Sequence, residues 1–160
     1  MDLNKAHYVV ATAIVIKDGK FLIAKRSSNE KVNPGQWTVP GGKLEVNDYM
    51  KRPKDTSTHW YNVFETVVKR EVKEETGLEI KNLKYLTSLS FIRPDGVPTI
   101  VASFFADYEH GDVKLCEDLT EFKWVNLEEA KNYELIDGIY EELEMLDNLL
   151  KGKNIEEWKK

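Results

Sequence analysis

Residues 70–77 read REVKEETG, and the spacing of the acids in this stretch decides how the rest of the chain is read. Glu71, Glu74 and Glu75 fall at i, i+3 and i+4. A helix therefore sets all three carboxylates on one face, with Cβ atoms about 5–6 Å apart. Toward the N-terminus that face continues as Val68, Val67 and Phe64, the stripe an amphipathic helix presses into a core. Lys69 and Lys73 stand roughly 160–200° from Glu71 around the helix, on the solvent side. Glu-rich helix faces are commonly just solvated, but these acids occupy the place where the apolar stripe should continue. Like charges clustered at a core edge are costly unless something cationic sits among them. A hard divalent cation with carboxylate oxygen ligands meets that need.

Outward from the helix the chain alternates strands and helices. Residues 8–16 are rich in Val, Ile, Thr and Ala; Asp18-Gly19 signals a hairpin, and residues 21–24 return as its partner. A short strand at 37–39 runs into Pro40-Gly41-Gly42, and residues 43–61 form a long polar connection. The helix is expected over 62–76, with Asn62 and Glu65 spaced as a capping box and Gly77 ending it. Strands are expected at 84–92 and 99–108, joined by the turn Arg93-Pro94-Asp95-Gly96, and at 121–125. Asn126 with Glu129 caps a short helix. A longer one over 137–150 buries Ile139, Leu143, Leu146 and Leu150, and the Lys-rich tail 152–160 frays unless Trp158 docks it. This order predicts one domain over 1–160, with a core over about 8–150: an α/β fold whose mixed sheet is covered on both faces.

Composition excludes several classes. The chain has 160 residues, 41% of them hydrophobic, enough for a proper core. A net charge of −5 and a pI near 5.3 give no basic footprint for a nucleic acid polymer. A small phosphorylated ligand remains open, because a metal supplies the missing positive charge. The lone Cys116 forms no disulfide framework and no metal-type spacing, which points to a reduced, cytoplasmic setting. The N-terminus has no signal-peptide pattern, and no stretch is apolar enough to span a membrane.

GQWTVPGGKLE followed by REVKEETGLEI resembles the Nudix hydrolase family (MutT-like), whose signature is G-x5-E-x7-R-E-U-x-E-E-x-G-U with U apolar. Gly42, Arg70, Glu71, Val72, Glu74, Glu75, Gly77 and Leu78 fill that pattern, and FLIAKRS and EFKWVNLEEA also resemble family segments. The resemblance implies an α/β/α sandwich and metal-dependent hydrolysis of a nucleoside diphosphate linked to another moiety. It implies Mg²⁺, with Mn²⁺ able to substitute, bound by Glu71, Glu74 and Glu75 with a backbone carbonyl from Gly41. Glu74 would be ligand or general base, and Arg70 would hold a neighbouring carboxylate. A further acid would come from CEDLTEF: Glu121, or Glu117 or Asp118. Arg26 is a candidate for phosphate, and Trp37, Phe91 and Phe105 for stacking on a base; surface exposure for Arg26 and core packing for the aromatics are the alternatives.

The chain departs from the pattern at one place. The family puts 13 residues between Gly and Arg; here residues 43–69 intervene, so about 14 are inserted, within about 48–61. With five residues between, Gly42 is followed by Asp48 instead of Glu. The first box Glu is replaced by Asp48 or lost, and Glu65 substitutes only if the helix geometry allows. The insert carries Lys51, Arg52, Lys54, His59, Trp60 and Tyr61, and reads either as a bland loop or as a loop reaching the substrate. Small family members more often cleave nucleoside triphosphates to the monophosphate and pyrophosphate, which is the expectation for this chain as monomer or homodimer. An ADP-ribose or nucleotide-sugar pyrophosphatase is the alternative. Pro94, 16 residues past Leu78, resembles a marker of ADP-ribose hydrolases, but the hairpin turn explains it equally. A non-catalytic nucleotide sensor would have lost helix carboxylates, and a prenyl-diphosphate isomerase would want a cysteine before the box.

Overall fold

A computed structural model describes residues 2–154 and 156–159. Strand β1 (Tyr8–Lys17) turns through Asp18 and Gly19, both at positive φ (51° and 73°), into β2 (Lys20–Arg26). That is the twist-matched two-residue hairpin the Asp-Gly pair predicts. Then come β3 (Trp37–Thr38), β4 (Gly41–Lys43), α1 (Asn47–Met50), α2 (Val63–Thr76), β5 (Glu79–Ile92), β6 (Pro98–His110), β7 (Leu119–Val125), α3 (Leu127–Ala130) and α4 (Ile139–Leu150). The sheet runs β3-β2-β1-β6-β5, with β4 on β1 and β7 on β2. β1 and β6 are parallel from Tyr8↔Thr99 to Ile16↔Asp107, while β2 and β4 pair with β1 antiparallel. The sheet is therefore mixed.

Strand alternation divides the core in two. Ala11, Ala13 and Val15 of β1, with Phe104 and Ala106 of β6, face α2 and bury Val67, Val68 and Val72. Ile14, Phe21, Ile23 and Phe105 face α4 and bury Ile139, Leu143 and Leu146. Each of the three helix valines contributes roughly 1.5–3 kcal/mol by burial, which fixes the rotation of α2 and hence where its acids point. No described helix is long and apolar enough to cross a membrane.

Several expectations change. Asn62 does not cap α2 with its side chain: it is left-handed (φ 53°), and its carbonyl takes the Thr66 amide and hydroxyl instead. Gly77 ends the helix as expected, at φ 76° with its N–H on the Lys73 carbonyl, and Asn126 and Glu129 form their capping box. The polar connection contains β4 and α1, which its composition hid. Phe64 is 36% exposed and stacks on Phe104, and Leu150 is 51% exposed at the end of α4.

Candidate active site

The site forms where α2 passes over the Gly41-Gly42 strand. With Val68 and Val72 in the core, Glu71 and Glu75 face β4. Glu75 accepts a hydrogen bond from the Gly41 N–H at 2.9 Å. It is thus the amide of Gly41 that meets the acid. A Cβ on Gly41 would stand 2.5 Å from the Ala11 carbonyl, and one on Gly42 would stand 2.2 Å from the Glu71 carboxylate. Both glycines are needed for close approach, Gly41 to β1 and Gly42 to an acid of the helix.

Arg70 ties the cluster together. Its Nε and Nη2 donate to Asp48 at 2.5 and 3.1 Å, Nη1 to Glu71 at 2.8 Å and Glu74 at 3.1 Å, and Nη2 to the Lys43 carbonyl at 3.2 Å. The Asp48 side chain is only 3% exposed, and it also accepts the Glu45 amide at 2.7 Å. Asp48 is thus the acid that reaches Arg70 from the segment after Gly42, while Glu65 lies exposed on α2. Above all its hydrogen bond to Asp48 keeps Arg70 charged. Burial pushes the Asp48 carboxyl up, but the Arg70 and Glu45 hydrogen bonds outweigh it and hold the group below the usual range.

The inward acids are short of positive charge. Burial is the main cause that pushes Glu75 up to about 7; Glu71 and Asp118 add to it, and the Gly41 amide and Arg26 oppose it. Burial also raises Glu71, against Arg70 and with the help of Glu74 and Asp48. Among the described residues no group of three or more His, Cys, Asp or Glu is arranged to hold a metal ion. Glu71 is turned to Arg70 and Glu75 to the Gly41 amide. The donor chemistry nonetheless fits a hard divalent cation: two half-buried, mutually repelling carboxylates beside a close backbone turn.

The other sequence candidates separate by sheet face. The charge of Arg26 acts on Glu75, although its Nε and Nη2 are held by the Val32 carbonyl and Glu30 at 3.0 and 2.7 Å. Glu121 is not brought to the acids: it registers with Lys25, as Trp37 does, and binds Lys25 at 2.9 Å on the α4 side. Asp118 is the acid of that segment whose charge acts on Glu75. Trp37 is a core residue, 7% exposed and edge-on to Tyr133 at 4.8 Å, so its ring is spent on packing. Phe105 is likewise buried, whereas Phe91 is 41% exposed. Within the insert, Trp60 packs on Tyr49 and donates to the Arg52 carbonyl, and Arg52 bonds Asp55 and the Tyr61 carbonyl. Sequence reasoning missed Glu142, buried on α4. Its signal was an acid three residues after Ile139 and beside Leu143, inside the buried stripe.

Acids of one helix seated on a Gly-Gly turn at the edge of a mixed sheet offer the type of oxygen donor that a hard cation takes. The chain belongs to the Nudix family: residues 7–146 match the NUDIX domain. It is 39% identical over 120 residues to the NAD-capped RNA hydrolase NudC of Actinobacillus succinogenes, covering 72% of this chain and 39% of that protein. It is 24% identical over 137 residues to the nucleoside triphosphatase NudI of Klebsiella pneumoniae, covering 79% of this chain and 86% of that one. The crystal structure of a MutT protein from Methanosarcina mazei superposes with a TM-score of 0.68 at 28% identity, over 92% of this chain and 97% of that one. The chain spans only about two fifths (38–41%) of the length of the curated NudC relatives it matches.

Proposed function

We propose that the protein is a metal-dependent pyrophosphohydrolase that cleaves a nucleoside triphosphate to the monophosphate and pyrophosphate. The observation that carries this reading is the half-buried Glu71 and Glu75 pair at Gly41 and Gly42, with Arg70 holding Glu71. Glu71 and Glu75 hold the metal. Magnesium, or manganese in its place, supplies the charge that neutralises the pyrophosphate and activates water. Arg70, anchored by Asp48, keeps Glu71 oriented. Glu74, the exposed acid of the three, takes the proton from the attacking water, and Asp118 adds negative charge beside Glu75. Arg26 meets a phosphate oxygen through the part of its guanidinium its own loop leaves unused. The match to a protein named nucleoside triphosphatase, over most of that protein's length, supports the substrate class.

A second reading, cleavage of a dinucleotide or ADP-ribose type diphosphate, is favoured by the 39% identity to a protein named NAD-capped RNA hydrolase. One panel separates the two: nucleoside triphosphates, ADP-ribose, nucleotide sugars, NAD and NAD-capped RNA, each with Mg²⁺ and with EDTA. Metal-dependent release of pyrophosphate from triphosphates is expected. Turnover confined to the diphosphate-linked compounds selects the second reading, and binding without turnover on any of them overturns both.

A further inference from the structure

Glu142 lies in the core face of α4, 3% exposed, between residues that pack against the sheet. One carboxylate oxygen accepts from the Ser103 hydroxyl at 3.2 Å, and that hydroxyl accepts from Thr12 at 3.4 Å. The other oxygen has no hydrogen bond among the described residues, yet it is not sealed from solvent. Among the described residues, the fully buried side-chain polar atoms without a partner are Arg52 Nε and Thr99 Oγ1. Burial pushes the Glu142 carboxyl up to about 7 and the Ser103 hydroxyl opposes this. The acid is neither a helix cap nor part of an ion pair, and an apolar residue would serve the packing better.

The surroundings suggest what it serves. Tyr8 and Thr12 of β1, Thr99 and Ser103 of β6, and Leu89 and Phe91 of β5 share the α4 side of the sheet by register. Toward one end α4 covers Ile14 and Phe105. Toward the other, Tyr8, Leu89 and Phe91 are 44%, 39% and 41% exposed. The Lys43 ammonium stands 5.2 Å, and the Arg93 guanidinium 5.4 Å, from the Tyr8 ring. The buried Thr99 hydroxyl on the same face has no partner among the described residues. This open aromatic face with a cationic rim lies on the opposite side of the sheet from α2 and meets the acid site at the β4 edge, where Thr12 pairs with Gly41, whose amide holds Glu75.

We propose that this face receives the heteroaromatic base of the nucleotide, and that Glu142, positioned by Ser103, selects among bases by accepting a hydrogen bond from an amino or ring N–H. This rests on the nucleotide reading above. Tyr8 and Phe91 offer ring faces for stacking, and a carboxylate oxygen accepts from an amino or ring N–H, so the two together fit a base. A site built around one hydrogen bond discriminates strongly against ligands that cannot make it, because the buried group is then left unpaired.

The test uses the full chain with Glu142→Gln, which keeps an oxygen for Ser103 and turns the free oxygen into a donor. Kinetics with Mg²⁺ are measured on the adenine, cytosine, guanine, uracil and thymine triphosphates. Calorimetry measures binding of the corresponding monophosphates without metal. The expected result is a fall of about tenfold or more, carried by KM, in the kcat/KM ratio of amino-presenting adenine and cytosine over carbonyl-presenting uracil and thymine. Should that variant not fold, Phe91→Ser, on the exposed face, is expected to raise KM for every nucleotide. A base ranking unchanged within twofold in Glu142→Gln, or in its absence an unchanged KM in Phe91→Ser, overturns the proposal. A wild type that turns over no triphosphate refutes the hydrolase reading alone. Base-selective monophosphate binding that Glu142→Gln reorders would still uphold the base site, and a wild type that binds none of them overturns it.

Discussion

Asp48→Asn keeps the shape of the side chain and removes one charge. The carboxylate it alters is 3% exposed and takes two hydrogen bonds from Arg70 and one from the Glu45 amide. Breaking a buried ion pair by removing one partner costs about 3–5 kcal/mol. Arg70 is 28% exposed and retains Glu71, Glu74 and the Lys43 carbonyl, so the expected loss is about 2 kcal/mol. In a domain of this size that lowers Tm by roughly 4–8 °C. The pH dependence has a definite sign. Asp48 is held below its ordinary value of 3.8, so its contribution is present above that value and is lost as pH falls through the lower folded one. Urea unfolding of the metal-free protein at about pH 7 and about pH 3 should show the wild type losing its advantage at the lower pH. Arg70, released from Asp48, should lean on Glu71, and the Mg²⁺ concentration for half-maximal activity should rise. A loss below about 0.5 kcal/mol at neutral pH, or an equal loss at both pH values, would falsify the assignment of Asp48 as the anchor of Arg70.

Glu75→Gln should cut hydrolysis by about two orders of magnitude or more while leaving the metal-free protein as stable or more stable at alkaline pH. In the wild type, Glu75 and Glu142 each have a folded pKa of about 7 against an ordinary 4.5, so each stabilises fully below the ordinary value and loses that effect as pH rises through 7. At 1.36 kcal/mol per unit this is about 3 kcal/mol per group. A thermal midpoint that does not fall between about pH 5 and pH 8 in EDTA would contradict both values. Gly42→Ala puts a methyl group into the Glu71 carboxylate; the side chain must swing away, and activity should drop about tenfold or more with the fold intact by circular dichroism. Replacing residues 49–58 by a short Gly-Ser link should raise KM or reorder substrates while metal binding survives; unchanged kinetics would make the insert a surface loop.

The legible parts of this protein are those whose cause is local. The α2 stripe, the Asp18-Gly19 turn, the Gly77 stop and the Asn126 capping box each follow from a few neighbouring residues. The mixed sheet followed from the order of elements, and the grouping of Glu71 and Glu75 from helical spacing. The unread parts depend on distant partners. Nothing near Trp37 announces Tyr133, and nothing near Glu121 announces that register would place it beside Lys25, across the sheet from Glu75. Asn62 has the right spacing for a cap but enters the helix from a left-handed turn that aims its side chain elsewhere. Glu142 was visible only as an acid out of place, since Ser103 and Thr12 are separated from it by 39 or more positions.

The insert shows why spacing misled where charge did not. Fourteen extra residues between the first acid and the arginine should have disrupted a motif defined by counting. The contact that matters, however, is an acid against Arg70, and α1 delivers Asp48 to it directly after β4. The added chain then closes on itself: Arg52 with Asp55 and the Tyr61 carbonyl, Trp60 with Tyr49 and the Arg52 carbonyl. Its ends return to α1 and α2 with little demand on either. A loop closed this way adds only a slowly growing entropy cost with length. The cation holding Glu71 in place is therefore insensitive to what lies between residues 49 and 62. Among the described residues the Lys51 ammonium and the Tyr61 phenol are insert side-chain groups outside that packing, and the shortened-insert variant tests whether they meet a ligand.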